Sequence, residues 1–159
     1  MKEKDGRDCI HFDTSVWLSL HVKEKEIWEN SMDYLRYIVF GEQTRGGMSI
    51  VILGEIVYKL VEFFREDPET LRLSLEFIDN FIIKGKIVIH NLDDSDFRTV
   101  QEIKEETGIR AHPPELLEIA VALRTGARVF ETMDEIADSE VLRGYLKERG
   151  LLLKKFNPG

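Results

Sequence analysis

Short apolar runs alternate with helix-spaced stretches along this chain, and that alternation limits its fold more than any other feature. Cys9-Ile10-His11-Phe12, Lys86-Ile87-Val88-Ile89-His90 and Arg128-Val129-Phe130-Glu131-Thr132 are rich in β-branched and aromatic residues and too short for helices. Between them, apolar residues return at the three- and four-residue spacing of a helix face. From Lys25 to Phe40 they are Ile27, Trp28, Leu35, Ile38 and Val39, and from Glu69 to Ile82 they are Leu71, Leu75, Ile78 and Ile82. Strands separated by helices predict an α/β domain with a mainly parallel sheet. In such sheets chemistry gathers beyond the carboxyl ends of the strands.

The punctuation agrees. Asp13-Thr14-Ser15 supplies capping residues directly after the first strand. Gly41 to Gly47 reads as a turn, followed by a helix from about Ile50 to Arg65 that Pro68 bounds. Asp94-Ser95-Asp96 caps a helix from about Phe97 to Glu106, closed by Gly108. His112-Pro113-Pro114-Glu115 opens another that stops at Gly126, since proline suits a first helical turn. A last helix, about Asp138 to Arg149, precedes the apolar Leu151-Leu152-Leu153. There is no linker or repeat, so one domain is expected over 1–159, with its core at about 9–153 between a short charged N-terminus and a tail.

Composition narrows the function. The 159 residues carry 22 Lys and Arg against 30 Asp and Glu, a formal charge of -8. With 43% hydrophobic residues, this is a chain with a core rather than a disordered one. The acid excess argues against capture of nucleic acid by overall positive charge. It leaves open carboxylates that hold a divalent metal. Cys9 is the only cysteine, which excludes an intrachain disulfide and a Cys-ligated zinc site. The charged N-terminus does not read as a secretory signal and no apolar run is long enough for a bilayer, so the expectation is a cytoplasmic protein with no membrane association.

Asp13 and Asp134 each fall just past a strand end, Glu55 lies within an apolar helix, and Glu115 opens a helix. Taken singly, each has an ordinary reading. Asp13 is a helix cap, Asp134 a turn residue, and Glu115 a partner of the helix dipole. Glu55 sits amid Ile50, Val51, Ile52, Leu53, Ile56 and Val57 on a helix that reads as largely buried. A charge there needs a metal or a cation, and Lys59 stands one turn on. The Asp93, Asp94 and Asp96 run reads as a solvated, capped turn. His11 reads as structural, His112 as a capping residue, and His21 and His90 as strand-end or surface residues. Trp17, Trp28, Phe63, Phe64, Phe77 and Phe81 read as core or dimer contacts.

Taken together, Ile10-His11-Phe12-Asp13-Thr14-Ser15, Ser49-Ile50-Val51-Ile52-Leu53-Gly54-Glu55, the stretch from Pro114-Glu115 to Gly126-Ala127, and Thr132-Met133-Asp134 resemble, in that order, the PIN-domain nucleases. The likeness is closest to the small VapC-like toxins of toxin–antitoxin pairs. It implies a three-layer α/β/α fold and RNA cleavage that depends on Mg²⁺ or Mn²⁺. Asp13, Glu55, Glu115 and Asp134 match the family's four acids, as catalytic residues and metal ligands. Thr14, Ser15 and Thr132 would support them. Glu115 is one methylene longer than the usual Asp. The second aspartate often found two residues after the last acid is missing, with Asp138 the nearest substitute. Glu118, one turn beyond Glu115, competes for its role. The resemblance also implies an RNA substrate, an antitoxin protein partner and a homodimer. Arg36, Arg45, Lys59, Arg110, Lys154 and Lys155 are available to flank a groove.

Clustered carboxylates suit this chemistry, because they repel unless a cation neutralises them and their oxygens favour hard ions. The alternative is a catalytically impaired PIN-like domain that binds RNA or protein. A nucleotide-binding α/β domain is rejected because Gly41 to Gly47 lacks the Lys-Ser/Thr of a P-loop and no Gly-x-Gly-x-x-Gly follows the first strand. An aspartyl phosphatase is disfavoured because Ser15 stands where a second Asp is wanted.

Overall fold

In a computed structural model, residues 8–19, 44–111 and 113–156 are described. The helix expected over Lys25 to Phe40, with Trp28 and Arg36, lies outside them, as do Gly41, His21 and His112.

The elements alternate as expected. Strand β1 (Asp8–Phe12) runs into the short helix α1 (Thr14–Leu18), and β2 (Thr44–Ser49) runs directly into α2 (Ile50–Phe63). Helix α3 (Pro68–Ile83), β3 (Ile87–His90), α4 (Asp94–Thr107) and α5 (Pro113–Arg124) follow. Then come β4 (Val129–Thr132), a 3-10 turn (Glu135–Asp138), α6 (Glu140–Glu148) and β5 (Leu152–Lys155). All strand pairs are parallel, in the order β3-β2-β1-β4-β5. The expected three-layer α/β/α architecture is what forms, and no described helix is long and apolar enough to cross a membrane.

Two cores fill the two faces of the sheet. Phe12, Trp17, Met48, Ile52, Ile56, Leu60, Ile78 and Phe81 pack α1, α2 and α3 on one side. Ile103, Leu116, Ile119, Phe130, Leu142, Leu146 and Leu153 pack α4, α5 and α6 on the other. Each set comes from alternate strand positions, since successive side chains point to opposite faces. Thus Phe12 faces the first core, while His11 faces α5.

Four expectations need correcting. Thr44 to Gly47 is not turn but the start of β2, paired with both β1 and β3. A strand here needs no β-branched residues because both neighbours supply the ladder. Lys154 and Lys155, expected beyond the core in the tail, continue Leu152 and Leu153 as the edge strand β5. Helix α2 is not largely buried: Gly54, Val57, Tyr58 and Val61 are exposed, and only one stripe reaches the core. Asp96 is not solvated but 1% exposed, held by Arg124 at 2.9 Å while its other oxygen completes the capping box with Asp93.

The strand order decides where a site can form. The chain lays β1, β2 and β3 outward in one direction, then returns to add β4 on the free side of β1. That reversal leaves a crevice between the carboxyl ends of β1 and β4. Asp13 follows β1, and Asp134 follows β4.

Candidate active site

Asp13 is buried at 4% exposure where β1 becomes α1. Its extended backbone places it as the N-cap, and Oδ1 accepts from the Thr14 backbone N–H at 2.7 Å. Oδ2 accepts from the hydroxyls of Thr132 (2.9 Å) and Ser15 (3.3 Å). The network crosses the crevice. Asp134 N donates to Thr132 Oγ1 at 3.0 Å, and Met133 N donates to Ser15 Oγ at 3.2 Å. Thr132 therefore orients Asp13 and the backbone of Asp134 at once. Thr14 acts through its backbone N–H, since its buried hydroxyl has no hydrogen-bond partner among the described residues. Burial raises the Asp13 carboxyl above its ordinary range, against the lowering pull of the Thr132 and Thr14 bonds, and Glu55 raises it further.

Glu115 lies in the first turn of α5 and is half-buried. Its carboxyl is pushed up to about 8, first by burial, then by the charges of Asp13 and Asp134, by a hydrogen bond with Asp134, and by Glu55. These acids come from four separate stretches of sequence, and each of the other three acts on Glu115. Asp134 caps the 3-10 turn, accepting from Ile136 N at 3.0 Å. Glu55 stands at the margin of the cluster, on the partly exposed α2, with Lys59 Nζ 3.4 Å from its Oε1. Among the described residues no three acids or histidines yet stand close enough to chelate one ion. The convergence is electrostatic.

The two remaining candidates lie apart from this cluster. Asp138 is exposed and bound to Lys155 at 2.6 Å. Glu118 is fully buried, with its oxygens taken by Ser49 N (3.2 and 3.0 Å) and His11 Nδ1 (2.8 Å). His90, expected at a strand end or the surface, ends β3 and stacks its ring on His11 with 5.4 Å between centroids. Histidine in a strand-end position gives no sign of such a partner.

A cavity of about 400 Å³ opens beside the acids. Its lining is acidic at Glu115, Asp134 and Glu135, apolar at Ile109, Ala111 and Ile136, and otherwise polar at Arg110 and Ser139. Of the basic residues expected to flank a groove, Arg110 lines this cavity, and Lys155 lies within electrostatic reach of Asp134 and Glu135. The loop residues Ile109 to Ala111 carry no motif, so sequence reasoning missed the cavity.

Comparison with known proteins agrees with this geometry. No curated protein matches the chain in sequence. Among solved structures, the Rickettsia felis VapBC2 complex, bound to a DNA fragment from its promoter, superposes with a TM-score of 0.65 at 14% identity, covering 94% of this chain and 99% of that one. The Mycobacterium tuberculosis toxin VapC20, which cleaves the sarcin-ricin loop, superposes with a TM-score of 0.55 at 15% identity, covering 76% of this chain and 86% of that one. At such identities these likenesses speak for the fold. The family model for the PIN domain matches residues 10–139, from the strand before Asp13 to the turn after Asp134. The chain belongs to the PIN-domain family.

Proposed function

We propose that this chain is a divalent-metal-dependent endoribonuclease, acting in the cytoplasm as the toxin of a toxin–antitoxin pair. One observation carries the reading: Asp13, Glu55, Glu115 and Asp134, remote in sequence, meet at the switch point of the sheet, where burial and then the charges of the other three push the Glu115 carboxyl up to about 8. An all-carboxylate donor set suits Mg²⁺ or Mn²⁺ rather than a softer ion. Asp13, Glu115 and Asp134 would hold it, with Glu55 joining on release from Lys59. Such an ion supplies Lewis acidity at a phosphodiester and lowers the pKa of a bound water.

The chain's own residues do the positioning. Thr132 and Ser15 fix one Asp13 oxygen and Thr14 N fixes the other, so the carboxylate is oriented before any ligand arrives. Glu115 holds a proton near neutral pH and would give it up on ligating a cation. Arg110 in the adjoining cavity is the cation placed to meet a phosphate. The RNA substrate and the antitoxin partner are supported by the family and by what the two neighbours are named for. The exposed apolar stripe Ile50, Val57 and Val61 on α2 suits a homodimer contact, which light scattering would test by mass.

The test is cleavage of RNA with and without Mn²⁺ by wild type and Glu55→Gln. Loss of cleavage in the variant supports the site, and equal cleavage by both refutes it. The Glu55–Lys59 ion pair favours one second reading, a PIN-like module that binds RNA without cutting it. Wild type that retains RNA but leaves it intact with Mn²⁺ present would select that reading.

A further inference from the structure

Glu118 sits one turn beyond Glu115 on α5 and is fully buried. Its carboxylate meets two other parts of the chain. His11 Nδ1 lies 2.8 Å from Oε1, a distance at which a carboxylate accepts the ring N–H. The Ser49 backbone N–H donates to both oxygens, at 3.2 and 3.0 Å. Each contact lies on an element that carries a proposed metal-binding acid. His11 is two residues before Asp13 on β1, Ser49 is the N-cap of α2 and so sets the start of the helix that carries Glu55, and Glu118 shares α5 with Glu115.

The surroundings leave this junction little freedom. The His11 ring is fully buried and stacks on His90 at an interplanar angle of 14°. On the β2 side it occupies the space a side chain at Gly47 would need: a Cβ there would overlap Nε2 and come within 2.7 Å of Cδ2. A buried carboxylate is a costly way to fill a core, and an apolar residue would pack the inner face of α5 without that cost. What the carboxylate adds is direction, since its bonds fix the register of α5 against β1 and the start of α2.

We propose that Glu118 is a positioning residue, which through His11 and Ser49 N holds β1, α2 and α5 in the register that brings Asp13, Glu55 and Glu115 to one ion. This rests on the metal-site reading above. Gly47 belongs to the same device, because its missing side chain admits the His11 ring.

The test compares the Mn²⁺ concentration that gives half the maximal rise in melting temperature for wild type, Glu118→Gln, Gly47→Ala and Ile78→Ala. Gln keeps the size of Glu118 and an acceptor for Ser49 N but loses the charge that binds His11. Gly47→Ala pushes the ring aside and leaves every charge in place. Ile78 lies in the opposite core on α3, which carries none of the acids, so its truncation measures generic destabilisation. Glu118→Gln and Gly47→Ala should each shift the Mn²⁺ midpoint upward by at least about tenfold, the scale at which supporting residues act on metal affinity. In RNA cleavage kcat should fall while KM stays. Ile78→Ala should melt lower with an unchanged midpoint. A folded Glu118→Gln or Gly47→Ala with the wild-type midpoint overturns the proposal, as does an equal shift in Ile78→Ala. Wild type without any Mn²⁺ response overturns the metal site itself, and this inference with it.

Discussion

Glu115 and Glu118 are the same residue type, one helical turn apart on α5, and they live under opposite conditions. Glu118 is wholly buried, yet His11 and Ser49 N engage both its oxygens. Glu115 is only half-buried, yet that burial, with the charges of Asp13, Asp134 and Glu55 added to it, raises its carboxyl to about 8. Burial and partners act together on a carboxylate, and α5 combines them in two different ways. One glutamate ties α5 to β1 and α2, and the other shares its surroundings with like charges.

That contrast can be broken experimentally, and the largest effect belongs to the satisfied member. Glu118→Leu leaves the Ser49 N–H and the His11 ring buried without their acceptor. It should cost about 3–5 kcal/mol in urea unfolding, the scale for breaking a buried pair from one side. A loss below about 1 kcal/mol would show that the contacts contribute nothing net.

The frustrated member should show itself through pH. The folded protein holds the Glu115 proton up to about 8, whereas the unfolded chain releases it at the ordinary value of 4.5. Between those values the folded state binds more protons, so metal-free stability should fall as pH rises from 4.5 to 8. Glu115→Gln should flatten that slope. An unchanged slope in the variant would mean that Glu115 is not the titrating group.

Divalent metal should reverse the frustration. Mn²⁺ at about a hundredfold excess over its dissociation constant should stabilise wild type by about 2.7 kcal/mol. Asp13→Asn should remove most of that gain in a thermal-shift titration, and a full response in the variant would sink the proposed ligand set. Thr132→Val comes next, at about 1–3 kcal/mol, because it takes a hydroxyl from Asp13 and an acceptor from Asp134 N. Smallest is Lys59→Met. Its partly exposed pair with Glu55 should contribute less than about 1 kcal/mol to stability, so a larger loss would show that Lys59 does more than screen Glu55.

Much of this organisation was legible in the sequence, and the gaps have physical reasons. The α/β order followed from runs such as Ile87 to Ile89, whose β-branched residues alternate with helix-spaced stretches. The Asp13 and Asp134 positions followed because strand ends and caps are local features. Strand β2 did not follow, because Thr44-Arg45-Gly46-Gly47 is shaped by its neighbours: Gly47 is small to admit the ring of His11. The burial of Asp96 was equally hidden, since its partner Arg124 lies on another helix. Glu118 and Glu115 look alike in a helical pattern. Only the packing of α5 across β1 and β2 tells which one finds partners.

The return of β4 to the free side of β1 also has a consequence in time. A chain growing from its N-terminus can complete β1, β2 and β3 and carry Asp13, Glu55 and Glu115 while lacking β4 altogether. Until Thr132 and Asp134 have emerged, Asp13 has no hydroxyl from across the sheet and the crevice has only one bank. Of the four proposed ligands Asp134 is the last in chain order, so a chain stopped short of β4 would hold only part of the proposed site.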